Sequence, residues 1–271
     1  MSHSALQRLV KMVRGQHGTV RRTYWVKSEQ PTEATFAFRD GQRVNTVNQK
    51  VASPTDHSVI HTGFFAAHTH AELRIAMQAI SKVHSVPTSL PVVPIYPTRM
   101  LPPGTYGQYT VGSRQSSGIQ IANGTGHEQS TLAHEYGHYL DHHLFGSGQS
   151  GLRGLGTYRR NPELKELMNA LYRSPSVKSV IAKHDENIRT GNHRHAQYSA
   201  YLLMPPEILA RAYAQYIATR SGNRQMQNQI AQSRSIGERY GYRAQWSDKE
   251  FEPIAREFDN VFRRRGLLRS A

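Results

Sequence analysis

The sequence predicts an α+β protein: a half-domain with a small mixed sheet and one central helix, then a mainly helical half, with a small basic N-terminal appendage rich in β structure. Three observations predict it. Short β-type runs bounded by Pro, Gly and Ser crowd the first half, while 3.6-residue apolar periodicity with cap signals dominates the second. At 271 residues and 37% hydrophobic content, the chain can bury one sizeable core or one core plus an appendage. The predicted boundary falls between a basic region, 1–65, and a domain, 66–271.

The elements follow in order. Leu6, Leu9, Val10 and Val13 mark an amphipathic N-terminal helix. Residues 19–27 and 34–47 read as strands, the second turning at Asp40-Gly41 as a β-hairpin. Ser53-Pro54-Thr55-Asp56 is a linker candidate. Residues 71–83 form a helix with Leu73, Met77 and Ile80 inward, and strands follow at 91–97, 105–111 and 117–122. A buried helix is predicted over 128–144, with Gly146 as its stop. Asn161-Pro162 and Ser174-Pro175 are caps followed by a proline at the first helical position. Residues 221–235, rich in Asn, Gln and Arg, read as an exposed loop or a poorly packed helix. Ser247-Asp248-Lys249-Glu250 is a capping box ahead of the stripe Phe251, Ile254, Ala255, Phe258, Val261 and Phe262, which reads as core packing.

Within the central helix lies the run His134-Glu135-Tyr136-Gly137-His138. Residues four apart share a helix face, so both imidazoles can reach one ion at about 2.0–2.1 Å, as zinc requires. Glu135, about 100° round the helix, sits beside the open coordination position as a general base. The alternative is a core helix of satisfied histidines, which leaves Glu135 as a buried charge with no stated partner. Gly137 is a poor helix former and implies close packing on its face.

A catalytic zinc needs a third protein ligand. The chain has no cysteine, which removes thiolate ligands, disulfides and thiol nucleophiles. The metzincin continuation fails because Asp141 and Leu144 stand where Gly and His are required. His142 and His143 lie about a turn too far along and read as residues outside the coordination sphere. Pro206 opens a helix carrying Ile208, Leu209, Ala212, Tyr213 and Tyr216, which makes Glu207 the candidate third ligand. A carboxylate that merely complements the helix dipole is the alternative.

Taken together, His134-Glu135-x-x-His138, Asp141 and the Pro206–Tyr216 helix resemble the gluzincin-type metallopeptidase domains of phage minor head proteins and of large polyvalent proteins of mobile elements. A more distant similarity is to the anthrax lethal factor class. The resemblance covers roughly residues 90–265. It implies a zincin-like half-domain, a Zn2+ cofactor and a protein or peptide substrate. Tyr201 or Tyr198 is implied as the oxyanion donor, unless the tyrosine there is a buried structural one. The chain departs from the thermolysin-like pattern at Arg211, where that pattern has an Asp; either Asp141 or another group must then orient the histidines. The 119–122 strand is expected to be the edge on which an extended peptide pairs.

Charge is the second signal. The net charge of +15 favours a polyanionic partner, with Arg8, Lys11, Arg14, Arg21 and Arg22 near the start and Arg263, Arg264, Arg265 and Arg269 near the end. Solvated faces are the alternative. No apolar run approaches the ~20 residues of a membrane span, and residues 4–13 lack the apolar core of a signal peptide. The expectation is a cytoplasmic or virion-associated protein, associated with phage particle components, with nonspecific nucleic-acid contact through its basic ends. Three functional classes stand: an active zinc peptidase, a catalytically silent zincin-fold virion protein, and a basic nucleic-acid-binding protein in which the His-Glu run is incidental.

Overall fold

In the computed structural model, the described residues are 24–26, 50–52, 58–61, 67–98, 101–102, 104–110, 118–149 and 154–269. The predicted N-terminal helix, the 34–47 hairpin and the 53–56 linker lie outside them. Strands β1 (Tyr24–Val26), β2 (Lys50–Ala52), β3 (Ser58–His61), β4 (Val93–Thr98), β5 (Thr105–Thr110) and β6 (Gly118–Ala122) form one mixed sheet in the order β1-β5-β6-β4-β3-β2. β5, β6 and β4 are its centre. β3 and β4 are parallel, as are β4 and β6, while β5 pairs antiparallel with β6. Helix α1 (Ala67–Val83) is the crossover between the parallel β3 and β4, burying Leu73, Met77 and Ile80. The three strands from the first 65 residues thus extend the same sheet as β4 to β6.

β6 feeds the central helix α2 (Glu128–His143) through Asn123–Gly126, where Gly124 and Gly126 take φ of +71° and +72°, backbone that L side chains rarely adopt. Glu128 Oε1 accepts from the Thr125 amide at 2.7 Å, tying this turn to the first residue of the helix. Nearly every residue of α2 is buried, which marks it as the axis of the fold.

The helical half wraps this axis with α3 (Gly156–Arg159), a short 3-10 turn (Pro162–Leu164), α4 (Lys165–Arg173), α5 (Pro175–Arg189), α6 (His193–Leu202), α7 (Pro205–Ser221), α8 (Arg224–Arg239) and α9 (Asp248–Arg264). Asn161 and Ser174 cap as their sequence patterns predict, each side chain accepting a backbone amide of the first turn. α7 begins with Pro205 and Pro206 in its first two positions, where a missing amide costs nothing. α9 buries the whole predicted stripe from Phe251 to Phe262.

Three local expectations are refined. Of the two readings of 221–235, loop or helix, the helix holds: α8 runs from Arg224, capped by Asn223, and it packs through Gln229, which is buried, accepts from the Ser130 amide at 2.8 Å and donates to the Gly126 carbonyl at 2.8 Å. Only half of the capping box forms. Ser247 accepts from the Glu250 amide at 3.4 Å, but the Glu250 carboxylate instead takes the Ser176 amide at 2.6 Å and the Ser176 hydroxyl at 2.9 Å, at the start of α5. Gly146 does not terminate α2 with left-handed backbone; the helix ends before it, and a Cβ there would lie 1.9 Å from the Gly154 carbonyl oxygen. Its role is to let the following loop lie on the helix end.

The tail closes on α1. The Ser85 amide donates to Leu267 O at 2.8 Å and the Arg269 amide to Val83 O at 3.0 Å, while the His84 ring stacks on Phe262 with centroids 4.0 Å apart. Among the described residues, no helix is long and apolar enough to cross a membrane.

Candidate metal centre

The centre forms where α2 crosses α7. At that crossing, a Cβ on Gly137 would sit 3.0 Å from Ala210 Cα and 3.2 Å from Tyr213 Cδ1, so only glycine lets the two backbones come this close. His134 and His138 flank Gly137 on α2, and Glu207 lies one turn before Ala210 on α7. The crossing therefore delivers both imidazoles and the carboxylate to one point.

The three residues are placed so that they could hold a cation. His134 Nε2 and His138 Nε2 are 3.1 Å apart, Glu207 Oε2 is 3.4 Å from His134 Nε2, and Glu207 Oε1 is 3.2 Å from His138 Nε2. Bonds of about 2.0–2.1 Å at tetrahedral angles put neighbouring donor atoms about 3.3 Å apart. The Nε2–Nε2 separation and the distance from each Nε2 to its nearer carboxylate oxygen are all close to that length. Both Glu207 oxygens, both Glu135 oxygens and the Tyr201 hydroxyl are buried without a hydrogen bond of ordinary geometry among the described residues, which a bound cation and its substrate would supply. His134, His138 and Glu207 are 1%, 2% and 0% exposed, so the donor set fits a closed site of two imidazoles and a carboxylate, a set suited to zinc.

The charges arrange themselves around Glu207. Burial pushes its pKa up, but the His138 charge and the close approach of both imidazole nitrogens outweigh burial and hold Glu207 ionised, well below the usual carboxylate range. Burial pulls His138 down, yet Glu207 more than reverses this and its pKa is raised. His134, where burial prevails, falls to about 4. Burial, with the Glu207 charge adding to it, pushes Glu135 up to about 8. A divalent cation among the ligands would draw Glu135 back to the carboxylate that a base must be.

Gly107 of β5 covers Glu135. A Cβ there would meet Thr131 Cγ2 at 2.5 Å and Glu135 Oε1 at 3.0 Å. β6, by contrast, hydrogen-bonds β4 on one side and β5 on the other, so it is no free edge for a peptide. That expectation is overturned: a strand paired along both sides has no backbone groups left to offer.

Of the two tyrosines, Tyr201 reaches the centre. Burial and the Glu207 and Glu135 charges hold its hydroxyl well above its ordinary pKa, keeping it a donor. Tyr198 lies one turn earlier and hydrogen-bonds Tyr242. Asp141 is fully buried, but its oxygens accept from the Thr157 amide at 2.8 Å and the Thr157 hydroxyl at 2.6 Å, pinning the start of α3. It acts on His138 through its charge. Arg211, also buried, donates to the carbonyls of Glu207 at 3.3 Å, Leu202 at 2.6 Å and Ala244, and stands over the Trp246 ring. It ties the turn that carries Glu207 to the end of the helix that carries Tyr201.

Sequence reasoning missed Gln229, Thr157 and Gly107. The Asn/Gln-rich composition of α8 was the available signal for the first. Nothing in the sequence marks the other two. Compared with known protein families, with curated proteins and with solved structures, the chain matches none.

Proposed function

We propose that this chain is a zinc-dependent metallopeptidase of the gluzincin type on a zincin-like half-domain, associated with a phage particle or mobile element and acting on a protein or peptide substrate. The observation that carries the reading is the cluster of His134, His138 and Glu207, in which the two Nε2 atoms are 3.1 Å apart and each lies 3.2–3.4 Å from one carboxylate oxygen, brought together although His134 and Glu207 are 73 residues apart in sequence. Zinc held there supplies Lewis acidity towards a peptide carbonyl and lowers the pKa of a coordinated water. Glu135 takes the proton of the attacking water and returns it to the leaving amine. Tyr201, kept protonated, donates its hydroxyl to the carbonyl oxygen as negative charge develops there. Arg211 and Asp141 fix the helix ends from which these groups project.

The test compares the wild type with His138→Ala and Glu135→Gln by elemental analysis and a peptide-library digest. Glu135→Gln is expected to keep zinc and to lose about 10²–10⁴ in rate, and His138→Ala to lose zinc. Cleavage that survives Glu135→Gln sinks the mechanism. A second reading, a catalytically silent scaffold in a virion, is favoured by one observation: Glu135 and Glu207 are both 0% exposed, which leaves a peptide no direct approach. It predicts zinc without cleavage. Nucleic-acid contact through the basic ends belongs to that reading too. Arg263, Arg264 and Arg269 are exposed, whereas Arg265 is engaged by Glu163 at 2.6 Å. The N-terminal arginines lie outside the described residues.

A further inference from the structure

One helical turn beyond His138, a second group of donor atoms converges. His142 is fully buried and its Nε2 lies 2.6 Å from the Gln149 carbonyl oxygen. A carbonyl only accepts, so Nε2 carries the proton and donates it, and the neutral ring is fixed in the tautomer whose Nδ1 bears a lone pair. That lone pair does not face water. His143 Nε2 lies 3.2 Å from it and the Tyr109 hydroxyl 3.4 Å from it, and the two histidine rings stand at 87° to each other. Adjacent residues on a helix ordinarily point about 100° apart, so the approach of these two rings is a feature of the helix end and its loop. Two glycines after the helix lie against the pair: a Cβ on Gly154 would lie 3.0 Å from His142 Nε2, and one on Gly148, at φ +69°, 3.5 Å from His143 Nδ1.

We propose that His142 Nδ1, His143 Nε2 and the Tyr109 hydroxyl form a second cation site, separate from the His134–His138–Glu207 centre, which takes a borderline transition-metal ion such as zinc or copper(II). The two separations from His142 Nδ1, 3.2 and 3.4 Å, bracket the donor–donor edge of about 3.3 Å expected for a tetrahedral site. A backbone carbonyl that holds the far nitrogen of a ligating histidine is the usual support for such a ligand. Burial lowers the pKa of both rings, so both are neutral at neutral pH, the state that ligates. In the metal-free protein, a hydrogen bond from His143 Nε2 to His142 Nδ1 fills the same space. Binding an ion needs His143 to carry its proton on Nδ1 instead and the Tyr109 hydroxyl to turn its proton away from His142 Nδ1. The site sits about 6 Å along the helix from His138, so an ion there would brace the end of α2 and the loop to α3.

The experiment is zinc loading of the full-length chain, removal of loose metal, and metal-to-protein ratio by elemental mass spectrometry, with circular dichroism to confirm folding. The wild type is expected to hold two ions per chain, a His134→Ala/His138→Ala double variant one, and His143→Ala one. Tyr109→Phe, which removes only an oxygen, is expected to weaken the second ion selectively. Cobalt(II) loaded into the double variant should give the visible absorption of a tetrahedral site, and His143→Ala in that background should abolish it. One ion in the wild type and none in the double variant overturns the proposal, as does a ratio unchanged by His143→Ala. Because the double variant removes the first centre, an empty first centre reads differently: one ion in both wild type and double variant sinks the peptidase reading and leaves this site standing.

Discussion

Gly137→Ala is the most discriminating perturbation of the metal centre, since it adds one methyl group and touches no ligand. The new Cβ would stand 3.0 Å from Ala210 Cα and 3.2–3.3 Å from two atoms of Tyr213, where ordinary contact begins at 3.4 Å. Ala210 Cα is backbone and cannot rotate away, so α7 must retreat by a few tenths of an ångström. Glu207 moves with it. Metal–ligand distances tolerate about ±0.2 Å, so a shift of this size stretches the carboxylate bond beyond its range. Crowding a packed interface costs about 1–3 kcal/mol, against which Ala regains about 1 kcal/mol of helix propensity. The metal-free variant should therefore lose about 0–2 kcal/mol of stability, while its zinc dissociation constant rises roughly 10–100-fold, the loss typical when ligand placement is disturbed. Zinc titration against a chromogenic chelator, paired with thermal melts of the metal-free protein, reads both quantities. Zinc affinity equal to the wild type, or a metal-free variant more stable by the full propensity gain, would show that the helix crossing does not set the ligand triangle.

Three further outcomes are expected. Gly107→Ala pushes on Thr131 and Glu135 from above, so zinc should stay bound while peptide cleavage falls by at least about tenfold, in keeping with the precision a catalytic group needs; undiminished cleavage would separate β5 from the placement of the base. Gln229→Ala leaves the Ser130 amide and the Gly126 carbonyl without partners, and a loss of about 1–3 kcal/mol in denaturant unfolding is expected, with the metal ratio unchanged. In the metal-free protein, Glu135 has its pKa raised from 4.5 to about 8, so its protonated form favours the fold: the contribution is complete below pH 4.5 and is lost as pH climbs through about 8. Melting curves of metal-free Glu135→Gln should fall less steeply than wild type across that window, and parallel curves would refute the assignment.

The parts of this site legible in the sequence are those governed by local rules. His134 and His138 declare a shared face by their spacing, and Pro206 places Glu207 at a helix start, because both depend on helix geometry alone. Which tyrosine points at Glu207 depends on how α6 leans on α7, and spacing leaves Tyr198 and Tyr201 equivalent. Arg211 breaks a family pattern in sequence, yet its three carbonyl partners come from α6, α7 and the loop before α9, a meeting no linear reading contains. Composition misled at α8, where Asn and Gln imply solvent until Ser130 and Gly126 provide their partners. At Glu250 the local rule competed with a tertiary one, and the Ser176 amide at the start of α5 won the carboxylate.

The clasp between the end of α1 and the final residues has a consequence for biosynthesis. His84 finds its stacking partner in Phe262, and the Val83 carbonyl finds its donor in the Arg269 amide, groups translated almost two hundred residues later. A nascent chain on the ribosome cannot seal this end of its interior until residues 262–269 have been made. Contacts so distant in sequence slow folding, so the end of α1 stays without these partners until residues 262–269 join it.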